Sequence, residues 1–178
     1  AGAEAPPIRL VEVGPAAQCI VMGKETVLFR HEETFYHPTA IAVRIRTDKS
    51  EEELKASLER VKGLVFDRVG QYVRVELVVI EYADGDAGRF AAAAAMANEL
   101  DLAMVLMSSS PSVIEAALPA LEGKRPLLDA ATSETWEAMA GLAKAHGCPL
   151  VVRGADMDEL AELTTKVAAA GVEDLIID

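Results

Sequence analysis

The sequence predicts an α/β protein that is the larger part of a (β/α)8 barrel of the TIM type. From about residue 100 onward, short apolar runs recur at regular intervals and are separated by stretches with helical periodicity. The runs are nearly continuous in Val, Leu, Ile and Met, as expected of parallel strands buried on both faces. Strands that alternate with helices across short loops pair in parallel through right-handed crossovers. The four runs cover 102–107, 126–130, 149–153 and 174–178.

Two architectures share this order of elements, an open doubly wound sheet and a closed barrel. No G-x-G-x-x-G fingerprint follows a predicted strand, which weakens the dinucleotide-binding form of the open sheet. The even repeat favours a barrel, and a whole barrel has about 250 residues. We therefore expect residues 26–178 to be a partial barrel from a longer polypeptide, preceded by a lead-in segment over 1–25.

Upstream of residue 100 the alternation is less regular. Ser50 and Glu53 have the spacing of a capping box, which opens a helix with an apolar stripe. A second helix is rich in alanine. The predicted elements are a hairpin or lid over 8–22, strands over 26–30, 41–46 and 73–81, and helices over 50–66 and 86–100.

Three helices are predicted between the later strands. Each begins at a capping side chain and stops at or near a glycine. Pro119 is expected to kink or shorten the last turn of the first helix. The ranges are 110–122 from Ser110, 133–146 from Ser133, and 156–170 from Asp156.

The composition narrows the possible functions. The net charge of −12 repels nucleic-acid phosphates and anionic lipid, so we expect neither a nucleic acid nor a membrane as a partner. The first ten residues lack the basic start and the long apolar stretch of a signal peptide, and no apolar run approaches the roughly 20 residues that span a bilayer. The two cysteines lie far apart in the sequence and fit no disulfide framework. A reducing, cytoplasmic location is the expectation.

Candidate site residues follow the predicted strands, because barrel enzymes carry their active residues at the carboxyl ends of strands. Polar side chains are the rule at such a water-facing rim, so the set by itself assigns no function. The rim residues are Arg30, His31 and Glu32; Glu81, Asp84 and Asp86; Ser108 and Ser109; Asp129 and Thr132; Arg153; and Asp178.

The histidines of the segment TVLFRHEETFYHPTAIAV (26–43) do not have the spacing of a helical zinc site. They occur in H-E-E-T-F-Y-H rather than H-E-x-x-H. A site of two histidines and one carboxylate can be composed from His31, His37 and Glu33, but a hydrogen-bonded structural histidine is the expectation, and no metal site is predicted. Cys148 opens a predicted strand and is expected to be a small buried residue.

The same segment resembles the start of the barrel domain in the large (gamma) subunit of the corrinoid iron–sulfur protein, which belongs to the acetyl-CoA decarbonylase/synthase (CO dehydrogenase/acetyl-CoA synthase) system. The likeness covers most of the chain after about residue 20. Further similar stretches follow in the same order, namely FDRVGQ (66–71), VLMSSSPSVIEAAL (105–118), RPLLDAAT (125–132), GLAKAHGCPLVVRG (141–154) and GVEDLIID (171–178).

The resemblance implies a role in the reductive acetyl-CoA (Wood–Ljungdahl) pathway or its methanogenic counterpart. In this family a heterodimer takes a methyl group from a methylated pterin onto cobalamin cobalt and delivers it to acetyl-CoA synthase. The implied partners are the small subunit, paired barrel to barrel, a pterin methyltransferase and acetyl-CoA synthase/CO dehydrogenase. The implied cofactors are a corrinoid and a [4Fe–4S] cluster. Both are held in the family by other domains, and no cofactor-binding residue carries over to this sequence, which has two cysteines.

The resemblance therefore implies a scaffold barrel in a methyl carrier, without catalytic residues of its own. His31 and Glu32 are its rim candidates for contact with a corrinoid or a partner. The alternative is an enzyme of a different class, a pterin-dependent methyltransferase-like barrel. In that case the pterin would be held by side chains on three successive strand ends, namely Asp129, Arg153 and Asp178. A carboxylate can accept hydrogen bonds from the N–H groups along the edge of a pterin.

Overall fold

The computed structural model describes residues 9–23, 37, 39–83 and 85–178. Within these residues the elements, in chain order, are β1 (Val11–Val13), β2 (Ile20–Met22), β3 (Ala42–Arg46), α1 (Glu51–Lys62), β4 (Val65–Arg68), β5 (Gln71–Arg74), β6 (Leu77–Glu81), α2 (Ala87–Glu99), β7 (Ala103–Met107), α3 (Pro111–Ala117), β8 (Leu127–Ala131), α4 (Trp136–His146), β9 (Leu150–Val152), α5 (Met157–Ala169) and β10 (Leu175–Ile177).

Six strands form one parallel sheet in the order β3-β6-β7-β8-β9-β10. Each new strand adds to the same edge, so the strand order never reverses. A doubly wound sheet does reverse, and its reversal point is where ligands bind. The observed winding is the one that a barrel uses, and the predicted parallel α/β class is confirmed. Within the described residues β3 and β10 do not pair, so the sheet is compatible with a partial barrel rather than closed.

The sheet buries both faces, because side chains alternate along each strand. One face packs against the helices. There Ile80 and Leu106 meet Phe90 of α2 and Leu54 of α1, all of them fully buried. This helix-facing cluster is the larger of two cores and is aliphatic and alanine-rich, as the composition predicts.

The opposite face of the sheet, here called the inner face, is covered at its amino-terminal end by the β1–β2 hairpin. Val13 packs there against Leu77 and Leu127, which open their strands. Gly14 allows this close approach, because its φ is +98° and a Cβ on it would lie 2.6 Å from the Ala103 Cβ. The hairpin predicted over 8–22 is therefore confirmed.

The region between α1 and β6 differs from the prediction. The predicted helix over 50–66 ends at Lys62, and the predicted strand over 73–81 is split. Between them β4 and β5 form an antiparallel hairpin in which Val65 pairs with Arg74 and Arg68 with Gln71. Val65 continues the apolar stripe of α1 at helical spacing, which explains the error, but Gly63 has already ended the helix.

The predicted helix starts are confirmed in part. Both capping-box bonds form at Ser50, whose Oγ accepts from the Glu53 N–H while its own N–H donates to Glu53 Oε2. Asp156 caps α5 by accepting from the Glu159 N–H at 2.9 Å. Ser110 precedes α3 but makes no capping bond, and its Oγ lies 3.0 Å from the Ser112 Oγ instead.

Two further helix boundaries test the prediction. The start predicted at Ser133 is wrong, because residues 133–135 form a turn and α4 begins at Trp136. Pro119 shortens α3 as predicted, since the helix ends at Ala117 and continues as a 3-10 turn over Leu118–Leu121.

The strand predicted over 26–30 lies outside the described residues. In the part of the chain that is described, no helix combines the length and the apolar character needed to cross a membrane.

Candidate functional site

The carboxyl ends of the six sheet strands bring one row of side chains together. Strand register places Glu81 beside Met107 and Met107 beside Asp129, and the backbone bonds of Arg153 and Asp178 continue the row across β9 and β10. All but one of the members are charged. We call this set the carboxyl-terminal row: Arg46, Glu81, Met107, Asp129, Arg153 and Asp178.

Asp129, Arg153 and Asp178 form one ion-paired cluster. The Arg153 Nη2 donates to Asp129 Oδ1 at 3.1 Å, and its Nε donates to Asp178 Oδ2 at 2.6 Å. The three residues that the sequence placed on successive strand ends are therefore in direct contact. One guanidinium thus links β8 to the ends of β9 and β10 through charge-assisted hydrogen bonds. Asp129 was predicted at the end of its strand but is the third of the five residues of β8.

Burial sets the electrostatics of this cluster. The Asp129 side chain is 7% exposed, whereas those of Arg153 and Asp178 are about half exposed. Burial raises the pKa of the Asp129 carboxyl above its ordinary value; the Arg153 guanidinium opposes the shift, and the Asp178 carboxylate adds to it. Desolvation disfavours the charged form of a carboxyl group, so burial favours the protonated form of Asp129. The pKa of Arg153 is raised mainly by its hydrogen bond to Asp178.

A second ion pair lies at the other end of the row and joins the predicted rim residue Glu81 to Arg44, which the rim prediction missed. Arg44 Nε lies 3.5 Å from Glu81 Oε2, an atom that is buried and makes no hydrogen bond within the described residues. The fully buried Thr47 donates its N–H to the Glu81 carbonyl and accepts from the Ala83 N–H. The signal for Arg44 was present in the sequence, since the alternation of β3 places charge at every second residue.

The other predicted rim residues serve local backbone structure. Ser108 is buried, and its hydroxyl accepts from the Ser110 N–H. Asp86 caps α2 by accepting from the Arg89 N–H, and Thr132 accepts or donates in a bond with the Thr135 hydroxyl. Ser109 is exposed. Arg30, His31, Glu32 and Asp84 lie outside the described residues.

The cysteines of this sequence are too few for a [4Fe–4S] cluster, one of the two cofactors of the resembled family. A [4Fe–4S] cluster takes four cysteine thiolates, and these 178 residues contain two cysteines. Among the described residues no three His, Cys, Asp or Glu side chains gather closely enough to hold a metal ion. The proposed set of His31, His37 and Glu33 falls mostly outside the described residues.

Cys148 is a buried core residue, as predicted. It is 5% exposed and belongs to the helix-facing core. Burial raises its pKa to about 11, and Arg125 opposes the shift only in part. Since the thiolate is the reactive form, this thiol is unsuited to nucleophilic chemistry at neutral pH.

Comparison with known proteins gives a consistent assignment. The model of the family described as CO dehydrogenase/acetyl-CoA synthase delta subunit matches residues 10–178. The chain is 45% identical over 177 residues to the corrinoid/iron-sulfur protein large subunit of Moorella thermoacetica. The aligned region covers 99% of this chain and 40% of that protein. It is 34% identical over 178 residues to the acetyl-CoA decarbonylase/synthase complex subunit gamma 1 of Methanosarcina thermophila, with 98% and 37% covered.

A third relative is the acetyl-CoA decarbonylase/synthase complex subunit gamma of Methanothermobacter thermautotrophicus. It is 32% identical over 175 residues, which are 98% of this chain and 38% of that protein. The chain thus spans about two fifths of the length of these curated relatives. The resemblance to the large (gamma) subunit found in the sequence is confirmed.

Proposed function

Since the chain belongs to the CO dehydrogenase/acetyl-CoA synthase delta subunit family, we propose that it is the scaffold part of a corrinoid iron–sulfur methyl carrier. In this role residues 26–178 form most of a (β/α)8 barrel, and residues 1–25 lead into it. The whole protein passes a methyl group from a methylated pterin, by way of cobalamin, to acetyl-CoA synthase. The barrel holds the protein's other parts and its partners in place.

One observation carries the scaffold role, namely the ion-paired cluster of Asp129, Arg153 and Asp178 on the carboxyl-terminal row. Arg153 donates one hydrogen bond to Asp129 and one to Asp178, so the residues best placed to bind a substrate are bonded to one another. Breaking a buried ion pair costs free energy, because it leaves a charge without a partner in a buried position. The cluster is therefore suited to fixing three strands and poorly suited to exchanging partners during turnover.

The cofactor chemistry is assigned to residues outside this stretch. The names of the relatives include a corrinoid and an iron–sulfur centre, and the two cysteines here do not suffice for a cluster. The partners of the scaffold in this proposal are the small subunit in a heterodimer, a pterin methyltransferase and acetyl-CoA synthase/CO dehydrogenase.

A second candidate is a methyltransferase-like barrel that binds a pterin at the same row. The observation in its favour is the buried Asp129, which is the third residue of the central strand β8 and has a raised pKa. Perturbed carboxyl groups of this kind are frequent at functional sites. In this reading Asp129 and Asp178 hydrogen-bond the pterin, and Arg153 positions them.

The variant Asp178→Asn in the full-length protein separates the two. Asp174→Asn is the matched control, because Asp174 lies just before the same strand and accepts from Arg9 and Arg125 at 2.6 and 2.8 Å. The scaffold role predicts equal rates of methyl transfer from methylated pterin for both variants. A pterin site predicts a loss of about 10- to 100-fold for Asp178→Asn alone, the effect of losing a charged hydrogen bond. That loss, in a protein with an unchanged melting temperature, would contradict the scaffold role.

A further inference from the structure

The hairpin formed by β4 and β5 exposes apolar side chains on both of its faces. All eight strand residues are exposed. Val69 in the turn is 99% exposed, Tyr72 77% and Phe66 59%. Val65 and Val73 are exposed as well. The strand pairing places Val65 and Tyr72 on one face of the hairpin and Phe66 and Val73 on the other. Five large apolar side chains therefore stand in water on one short hairpin, whereas the rest of the described chain exposes such residues singly.

This exposure is unusual for the composition of the chain. The sequence has four phenylalanines and three tyrosines, and one of each lies exposed here. A two-stranded hairpin with no packed face is at best marginally stable in water. Exposed aromatic residues are enriched at protein interfaces, where they supply most of the binding energy. The hairpin is thus built for contact with another surface.

The turn of the hairpin places an apolar residue where local structure does not favour one. Val69 has a φ of +54° and Gly70 a φ of +79°, so both turn residues are left-handed. Asn-Gly is the preferred pair for such a turn, and a β-branched residue in this region is an outlier. Asp67 Oδ1 accepts from the Gly70 N–H at 3.1 Å and supports the turn. The valine therefore strains the backbone of the turn and exposes an apolar side chain at the tip of the hairpin.

The charges around the hairpin indicate what covers it. Residues 60–74 contain four basic side chains and one acidic one, in a chain whose net charge is −12. The basic residues are Arg60, Lys62, Arg68 and Arg74, and all of them are exposed. Two copies docked through this hairpin would set the same cations against each other, which opposes self-association. A different protein with carboxylates around an apolar patch is complementary in both respects.

A shallow cavity adjoins the base of the hairpin. It has a volume of about 210 Å³, and Cys19, Val65, Arg74 and Leu102 are among its lining residues. Such a pocket beside an apolar surface suits an anchoring side chain from the partner. The cavity and the hairpin form one continuous surface at the amino-terminal edge of the sheet, opposite the carboxyl-terminal row.

We propose that the β4–β5 hairpin and this cavity dock a partner subunit through an apolar patch rimmed by carboxylates. The inference rests on the proposed function, in which the chain works inside a complex of several subunits. The inference goes beyond the proposed function because it assigns the contact with the partner to one hairpin rather than to the carboxyl-terminal row.

The test uses the full-length protein and two purified probes, the small subunit and acetyl-CoA synthase. The double variant Val69→Asn/Tyr72→Ser removes the two most exposed apolar side chains of the hairpin and places a favourable residue in its turn. The variant Arg68→Glu reverses one charge. Met157→Ser and Lys55→Glu are the matched controls, because both lie exposed on other elements. We expect each hairpin variant to bind one of the probes at least tenfold more weakly, as measured by calorimetry, and the controls to bind as the wild type does.

The alternative outcomes are distinguishable. If hairpin variants bind both probes as tightly as the wild type, the docking surface is wrong while the proposed function stands. If the wild type binds neither probe, the proposed function fails and the docking inference falls with it. If the wild type self-associates in sedimentation and the double variant does not, a second copy covers the hairpin, and the assignment to a different protein is overturned.

Discussion

Two hairpins lie at the amino-terminal end of the same sheet, and they differ in burial. In the first, β1–β2, Val13 is fully buried and packs on the inner face of the sheet. In the second, β4–β5, every strand residue is exposed. Both are short, antiparallel and rich in valine, so local sequence does not separate them. The difference lies in what each one meets, since the first is covered within the chain and the second requires a surface from elsewhere.

The comparison is tested most severely at the two turn glycines with positive φ. A Cβ at position 14 would lie 2.6 Å from the Ala103 Cβ, whereas at position 70 it would meet nothing within 4 Å. We expect Gly14→Ala to lower the free energy of unfolding by about 3 kcal/mol through strain and overpacking. Gly70→Ala should cost about 1 kcal/mol, the backbone strain alone. Urea titrations of the two variants measure both, and equal losses would contradict the assigned burial.

Removal of apolar volume gives the next largest effect. Val13→Ala should lower the free energy of unfolding by about 2 kcal/mol, because it opens a cavity between the first hairpin and the sheet. Val69→Ala should change it by less than about 0.5 kcal/mol, since that side chain is 99% exposed. Chemical denaturation of the pair checks the prediction. A large loss at Val69 would mean that the second hairpin is packed within the chain.

The turn of the exposed hairpin should respond in the opposite direction. Val69→Asn places a residue that tolerates the left-handed region at a φ of +54°. We expect a gain of about 1 kcal/mol in the free energy of unfolding from the relieved strain. Leu10→Asn, another exposed apolar position, serves as the control and should show no gain. A loss of stability at Val69→Asn would show that the valine supports the fold, and the case for an interface would weaken.

The smallest expected effect on stability concerns Asp129, which lies toward the carboxyl-terminal end of the sheet, away from both hairpins. The folded protein raises the pKa of Asp129 above its ordinary value, so the folded state holds that proton more tightly than the unfolded state does. The stabilising contribution is full below the ordinary pKa and is lost as pH rises through the folded value. The stability difference between the wild type and Asp129→Asn should therefore fall with rising pH. Denaturation series from pH 3 upward measure this slope, and a rising difference would contradict it.

Much of the fold follows from the sequence because local and global signals agree there. The parallel strands follow from continuous apolar runs, and α1 begins where Ser50 and Glu53 form their capping box. The second hairpin was missed because Val65 fits the stripe of the preceding helix, and periodicity alone does not show that Gly63 ends it. The exposed strands β4 and β5 also lack the alternation of buried and exposed residues by which strands are recognised.

The site was predictable only as far as the topology reaches. Parallel strands end at one edge, which placed Asp129, Arg153 and Asp178 near one another. The spacing of these residues in the sequence does not show that Arg153 bonds both carboxylates. That contact depends on side-chain geometry and on how deeply Asp129 is buried. Arg44 was not foreseen because it lies in mid-strand, and its contact with Glu81 arises from strand register.

Hydrogen exchange on the full-length protein, alone and assembled with its partner subunits, tests the central claim most directly. The account predicts fast exchange of the amides of residues 65–74 in the isolated protein and clear protection of them in the assembly. The amides of β1 and β2 should be protected in both states and serve as the internal reference. Equal, fast exchange of residues 65–74 in the isolated and assembled protein would contradict the claim that this hairpin is where the scaffold docks its partner.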